Sequence, residues 1–369
     1  MRRCLRRGSE RLAAVLCGVV LAACGASDDG DTGTAPAVDA GADAADAAGP
    51  DLSGSLPYDT LSAYGFFTGA LVDLTPAPGV LPYEVAAPLW SDGTDKRRFL
   101  YLPRGTRAER DAEGGLSFPV GTVTIKHFAL AGRAIETRLL IRTPEKWTGH
   151  TYVWNDEQTE AERKIAGQRR VFRNAAGEDQ PYLIPNTNQC GNCHEQDDVL
   201  GLLGVSEAQL DRMVTPPEAG MAVNQRHWLA QQGVLPDPGA TPPPGRPLVD
   251  PYGDAPLDDR ARSWLHANCA HCHRAGGNGG PSGLELGIDE DDPTHFGVCK
   301  GPVAAGTGSG DLVVDVDPGH PERSIMVLRL KSSDPEVKMP EIPNLLPDPR
   351  GVALIEAWIA AMPERDCRQ

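Results

Sequence analysis

The stretch 189-QCGNCH-194 returns in altered form as 268-NCAHCH-273, so a chain of 369 residues with nine cysteines places four of them in two copies of Cys-x-x-Cys-His. On a helical turn, side chains at i, i+3 and i+4 share one face. That spacing lets both sulfurs of a copy form thioethers to the vinyl groups of one porphyrin while the following imidazole reaches the iron, which is the c-type haem attachment pattern. Cys190, Cys193 and His194 meet it once, and Cys269, Cys272 and His273 meet it again. Three other chemistries use Cys-x-x-Cys. Zinc would draw two such pairs into one tetrahedral site, a thioredoxin-like pair does not need the histidine, and disulfides would strain such short loops. A histidine directly after each pair favours two c-type haems, with His194 and His273 as proximal iron ligands.

Around the second copy the pattern is helical. Leu257–Asn268 carries acidic residues early and Ala261, Trp264 and Leu265 at helical spacing, so a helix is expected to deliver the motif. Val352, Ile355, Trp358, Ile359 and Met362 fall on one stripe near the C-terminus, predicting a second amphipathic helix. Two helices bracketing a haem, with a methionine-bearing loop between them, is the plan of a small class I cytochrome c domain. Met339, in the loop before the last helix and followed by Pro340, is the candidate distal ligand; Met326 and Met362 read as core. For the first haem, Met213, Met221 and His227 stand in the following segment, and Met221 is preferred because it precedes a helical stretch, 224-NQRHWLAQQG-233.

Working toward the N-terminus, residues 57–185 alternate in hydrophobicity, as in 123-VTIKHFAL-130 and 134-AIETRLLIR-142, between Gly, Pro and charged turns. This predicts an antiparallel, sandwich-like β-rich domain. In the second segment Ile135, Thr137, Leu139 and Ile141 form the packed face, and Glu136, Arg138 and Arg142 are expected to face water. His127 keeps the phase of Val123 and Ile125 and reads as core-facing. Trp90-Ser91-Asp92 and Trp154-Asn155-Asp156 are read as turn or core groups in preference to a ligand site. Residues 186–250 hold the first haem segment and a proline-rich connector, and 251–369 the second cytochrome c domain. The fold class expected is a multidomain α+β protein, with the β-rich domain followed by two mainly α haem units.

Five arginines precede an apolar run from Leu12 to Ala23, too short to span a bilayer and patterned as a signal peptide over residues 1–23. Leu21-Ala22-Ala23-Cys24 resembles a lipobox, so Cys24 is the expected lipidation site, and Gly25 after it points to outer-membrane sorting. The tether, 24–56, has no Lys, Arg or aromatic residue between Gly25 and Pro50 and six Asp there; it is expected to be disordered and to hold the folded part on the order of 30 Å from the lipid. Loss of residues 1–23 would leave 30 basic against 50 acidic residues. That balance argues against nucleic acid and, beyond the lipid, against contact with an anionic membrane; it favours basic or neutral redox partner proteins. In an oxidising compartment the two cysteines left over, Cys299 and Cys367, are candidates for a disulfide, with free thiols as the alternative.

Taken in order, LSAYGFF (61–67), LPYEVAAPLWSD (81–92), FPVGTVTIKHF (118–128), YVWNDEQTEA (152–161), IPNTNQCGNCH (184–194), RARSWLHANCAHCH (260–273), GVCKGPVAAGTGSG (297–310) and MPE (339–341) resemble an uncharacterised bacterial family of exported dihaem c-type cytochromes. The resemblance implies two covalent haems behind a β-rich N-terminal domain and supplies no substrate. The function expected is electron transfer by a lipid-anchored, periplasm-facing protein. The alternative is a haem redox enzyme, peroxidase-like at the first haem or acting on a ligand of the β domain.

Overall fold

Alternating sequence in residues 80–164 becomes one six-stranded sheet. Its strands are β1 (Val80–Pro82), β2 (Asp95–Tyr101), β3 (Val123–Leu130), β4 (Arg133–Arg142), β5 (Trp147–Trp154) and β6 (Ala161–Lys164). They lie in the order β6-β5-β4-β3-β2-β1, every pair antiparallel, so the sheet is a simple up-and-down meander. A separate hairpin, β7 (Gln168–Arg173) with β8 (Asp179–Ile184), follows. The helices are α1 (Gln189–His194), α2 (Glu207–Leu210), α3 (Gln225–Gln231), α4 (Leu257–Asn268), α5 (Ile325–Lys331) and α6 (Pro349–Ala360). The computed structural model describes residues 49–369 other than 112–114, 197–198, 218, 240–241, 244, 304, 342–343 and 368–369. Cys24 and the tether up to residue 48 therefore lie outside the described residues. Asp46–Gln369 form one compact unit, and no helix among the described residues is long and apolar enough to cross a membrane.

Period two sends Ile125, Leu139, Ile141 and Tyr152 to one face, where each is at most 1 % exposed. The residues covering them come from the irregular segment before β1, chiefly Leu61, Tyr64, Phe66 and Leu74. His127 sits in that face as expected, bonded through Nδ1 to Thr137 Oγ1 at 2.9 Å and edge-on to Trp154. Full burial of each such aliphatic or aromatic side chain stabilises by about 1.5–3 kcal/mol. The opposite face differs from the reading of 134–142. It does not meet water: Glu136 is fully buried, because residues after the first motif pack Leu210, Trp228 and Leu229 against Leu100 and Trp147, and the β7–β8 hairpin packs Phe172 and Tyr182 against Val153. An antiparallel β-rich region is present, but the layers over its large sheet are loops, short helices and a two-stranded hairpin; a second large sheet, as in a sandwich, is not formed among the described residues.

In the C-terminal part α4 and α6 pack across each other. A Cβ on Gly351 would fall 2.4 Å from the Trp264 ring, so only glycine allows this approach. Asp348 caps α6 through Arg350 N at 3.1 Å and also receives the Tyr252 hydroxyl at 2.6 Å and Trp264 Nε1 at 3.0 Å. One carboxylate thus fixes both the start of α6 and its crossing partner. Trp90, Ser91 and Asp92 join this part to the sheet: Trp90 N donates to Asn268 Oδ1 at 2.7 Å, and the buried Asp92 carboxylate accepts from Leu345 N and Leu346 N at 2.9 and 2.8 Å. The Trp154-Asn155-Asp156 group builds the β5–β6 turn, with Asn155 Oδ1 accepting from Thr159 N at 2.9 Å.

Candidate functional site

The first motif is the whole of α1. Its start is closed reciprocally: Gln189 N donates to Asn186 Oδ1 at 2.9 Å, and Asn186 N donates to Gln189 Oε1 at 2.9 Å, which satisfies two donors that a helix N-terminus leaves open. The helix rests on the sheet at Gly149 of β5, where a Cβ would come within 3.1 Å of Cys190 Sγ and 3.4 Å of Leu140 Cδ2. At the other end His194 is tied twice to Gly201, its carbonyl accepting from Gly201 N at 2.7 Å and its Nδ1 lying 2.9 Å from Gly201 O. A carbonyl only accepts, so Nδ1 carries the proton and Nε2 keeps a free lone pair. Burial pushes the His194 pKa down to about 4, and neutral imidazole is the metal-binding form.

The second motif continues from α4 as a run of turns. Cys269 N donates to Leu265 O at 2.8 Å and His273 N to Cys269 O at 2.9 Å, so the i, i+3, i+4 geometry persists past the end of the regular helix. His273 Nδ1 lies 3.1 Å from Ser282 Oγ, whose own hydroxyl is committed to Gly279 O at 2.6 Å. Serine therefore accepts from Nδ1–H, and Nε2 is again the free nitrogen. Close packing holds the ring, since a Cβ on Gly279 would fall 2.9 Å from His273 Nδ1. Burial lowers the His273 pKa and raises that of Cys269 to about 12.

Cys269, His273 and Met339 line one cavity of about 200 Å³, open to solvent, whose walls include Leu265, Leu286 and Ile325. Met339 is held there by its own amide, which donates to Arg329 O at 3.0 Å. Met326, read from sequence as core, packs against the α4–α6 cluster and also reaches this cavity. Among the described residues the first motif has no thioether so placed: Met221 is 66 % exposed and Met213 58 %, and His227 is exposed. Cys299 and Cys367 are bonded, S to S at 1.99 Å, across 68 residues, whereas the four motif cysteines are free thiols.

The two motifs touch. Cys193 Sγ, Cys272 Sγ and a ring nitrogen of His271 lie within 4.8 Å of one another. Asn192 O accepts from Cys272 Sγ at 3.4 Å and from Asn278 Nδ2 at 3.1 Å, and Arg274 donates to Glu195 O at 3.3 Å. Each thiol acts on the other across this contact, which pulls the Cys272 thiol down and pushes the Cys193 thiol up. Sequence reasoning had no signal for this contact, because 78 residues of chain separate the two cysteines and nothing in either motif names the other. His271, the third residue of its motif, was likewise missed. The trio Cys193, His271 and Cys272 is a donor set that zinc accepts, but it takes one sulfur from each pair and leaves out Cys190, Cys269, His194 and His273. Two c-type haems use all six motif ligands, and the residues present fit them: four unpaired thiols, two imidazoles with Nε2 free, and a thioether lining the same cavity as His273. No protein-family model, curated protein or solved structure matches the chain.

Proposed function

We propose that the chain is a lipid-anchored dihaem c-type cytochrome of the bacterial envelope that passes single electrons between partner proteins. The observation that carries this reading is the meeting of two complete attachment motifs at Cys193 and Cys272, each with its histidine already held in the ligating tautomer. Cys190 and Cys193 would hold the first haem with His194 on its iron; Cys269 and Cys272 would hold the second, with His273 and Met339. Bound haem supplies a one-electron Fe(III)/Fe(II) couple, and a methionine opposite histidine raises its potential. The chain's own part is positioning. The double tie of His194 to Gly201 and the Ser282 bond to His273 fix each ring. The Asn192–Asn278 and Arg274–Glu195 bonds hold the two attachment points together. Lipidation at Cys24, an outer-membrane position facing the periplasm, and a basic or neutral partner complete the proposal, which agrees with the exported dihaem family the sequence resembles.

A second reading, a haem redox enzyme working at the first iron, is favoured by the solvent exposure of Met213 and Met221, which supplies no ligand for its far side. Redox titration with visible spectra separates the two. Two low-spin waves indifferent to cyanide and carbon monoxide support transfer; a high-spin fraction that binds either ligand supports the enzyme. A protein with no porphyrin absorption defeats both.

A further inference from the structure

Register across the large sheet places Arg98 of β2 directly opposite Lys126 of β3, and Lys126 directly opposite Arg138 of β4. Three cations therefore stand in one row on the face covered by the first motif, with Lys96 two residues along β2. Directly opposed like charges destabilise a sheet. The countercharge at hand is Glu136, and it is fully used: Oε1 and Oε2 take Arg138 at 2.6 and 2.9 Å, and Oε1 also accepts the Tyr182 hydroxyl at 2.8 Å. Among the described residues, neither Lys126 Nζ nor the Arg98 guanidinium has a hydrogen bond or an ion pair; Glu84, the carboxylate that acts on Arg98, is itself paired with Arg212 at 2.8 Å. Lys126 has the Phe128 ring, 5.2 Å away. Its ammonium is held well below its ordinary pKa by burial and by the repulsion of Arg98, Lys96 and Arg138. The row lies beside the site: Lys126 is close enough to Cys193, and Arg138 to Cys190, to interact with them electrostatically.

A half-buried row of cations short of anions is costly: Lys126 either gives up its proton, as its lowered pKa allows, or keeps it against an anion that completes the row. We propose that Arg98, Lys126 and Arg138 form an anion-binding site on the sheet beside the first motif, taking a carboxylate or a small oxyanion. That chemistry has two sources, the propionate carboxylates of the first haem or a free anion from the periplasm. The inference rests on the haem reading for the first source and is independent of it for the second. It also gives the β-rich domain a role, as the charged wall of the first site.

The test uses the full exported chain, wild type and Lys126→Gln, Arg98→Gln and Lys126→Arg variants, each weighed for its haem content and titrated for redox potential with and without inorganic phosphate. If a free anion fills the row, phosphate moves the first wave saturably in wild type and Lys126→Arg, and the response is lost in both glutamine variants. If propionates fill it, phosphate has no effect, while each glutamine variant lowers the first wave and leaves the second in place. A chain with two haems whose first wave ignores both phosphate and substitution overturns the site. A mass without haem is the failure of the haem reading alone; in that protein calorimetric phosphate binding, lost in Lys126→Gln, sustains the site, and no binding overturns it. The second glutamine variant guards against one that does not fold.

Discussion

Gly149 is conspicuous only once α1 is seen lying on it. In the sequence it is an interruption of 147-WTGHTYVW-154; in the fold it is the gap through which Cys190 reaches the sheet. Gly149→Val is expected to displace α1 and to yield exported protein carrying one haem, measured by intact mass. Met339 was singled out as a loop methionine before the last helix, and it lines the cavity with His273. Met339→Ala is expected to abolish a weak long-wavelength ferric absorption band and lower the second haem's potential, while Met326→Ala leaves the band intact. His127 supplies a pH test. Its pKa is lowered from 6.5 to about 4, first by burial and then by Arg97, so the unfolded chain binds the proton more readily than the fold does. Stability is therefore lost as pH falls from about 6.5 to 4, by roughly 2–4 kcal/mol from this residue. Denaturant titration of His127→Gln is expected to show a correspondingly flatter dependence over that window than wild type.

Helices and strands were read well where one periodicity ruled. The expected helix over Leu257–Asn268 has those bounds, and the predicted C-terminal helix appears as Pro349–Ala360. What failed was the fate of the polar face of β4. Alternation reports which residues share a side, and not what later chain will cover that side, so Glu136 and Arg138 read as solvated although residues far along the chain bury them. The glycine at the α4–α6 crossing was similarly silent, since a helix stripe names its buried positions without its partner's bulk. Gly351→Ala is expected to cost about 1–3 kcal/mol through overpacking against Trp264, more than the gain in helix propensity of up to about 1 kcal/mol returns, and thermal denaturation reads the difference.

Across the molecule, two devices hold the C-terminal part together and against the sheet. The Cys299–Cys367 bond closes a loop of 68 residues, and a cross-link of that span stabilises by about 4 kcal/mol on the chain-entropy account. Asp92, buried and accepting two backbone amides from 345 and 346, ties the sheet to the loop before α6. Asp92→Ala leaves those amides unpaired and is expected to cost about 2–4 kcal/mol in chemical denaturation. Spacing made each Cys-x-x-Cys-His motif legible alone, but their contact at Cys193 and Cys272 is a property of the tertiary fold. The central claim is that both motifs carry covalent porphyrin, and intact-mass measurement of the exported protein after denaturation, with its visible spectrum, tests it most directly. The account predicts a polypeptide heavier by two haems that stays coloured when unfolded; a colourless chain weighing only its amino acids and lipid would contradict it.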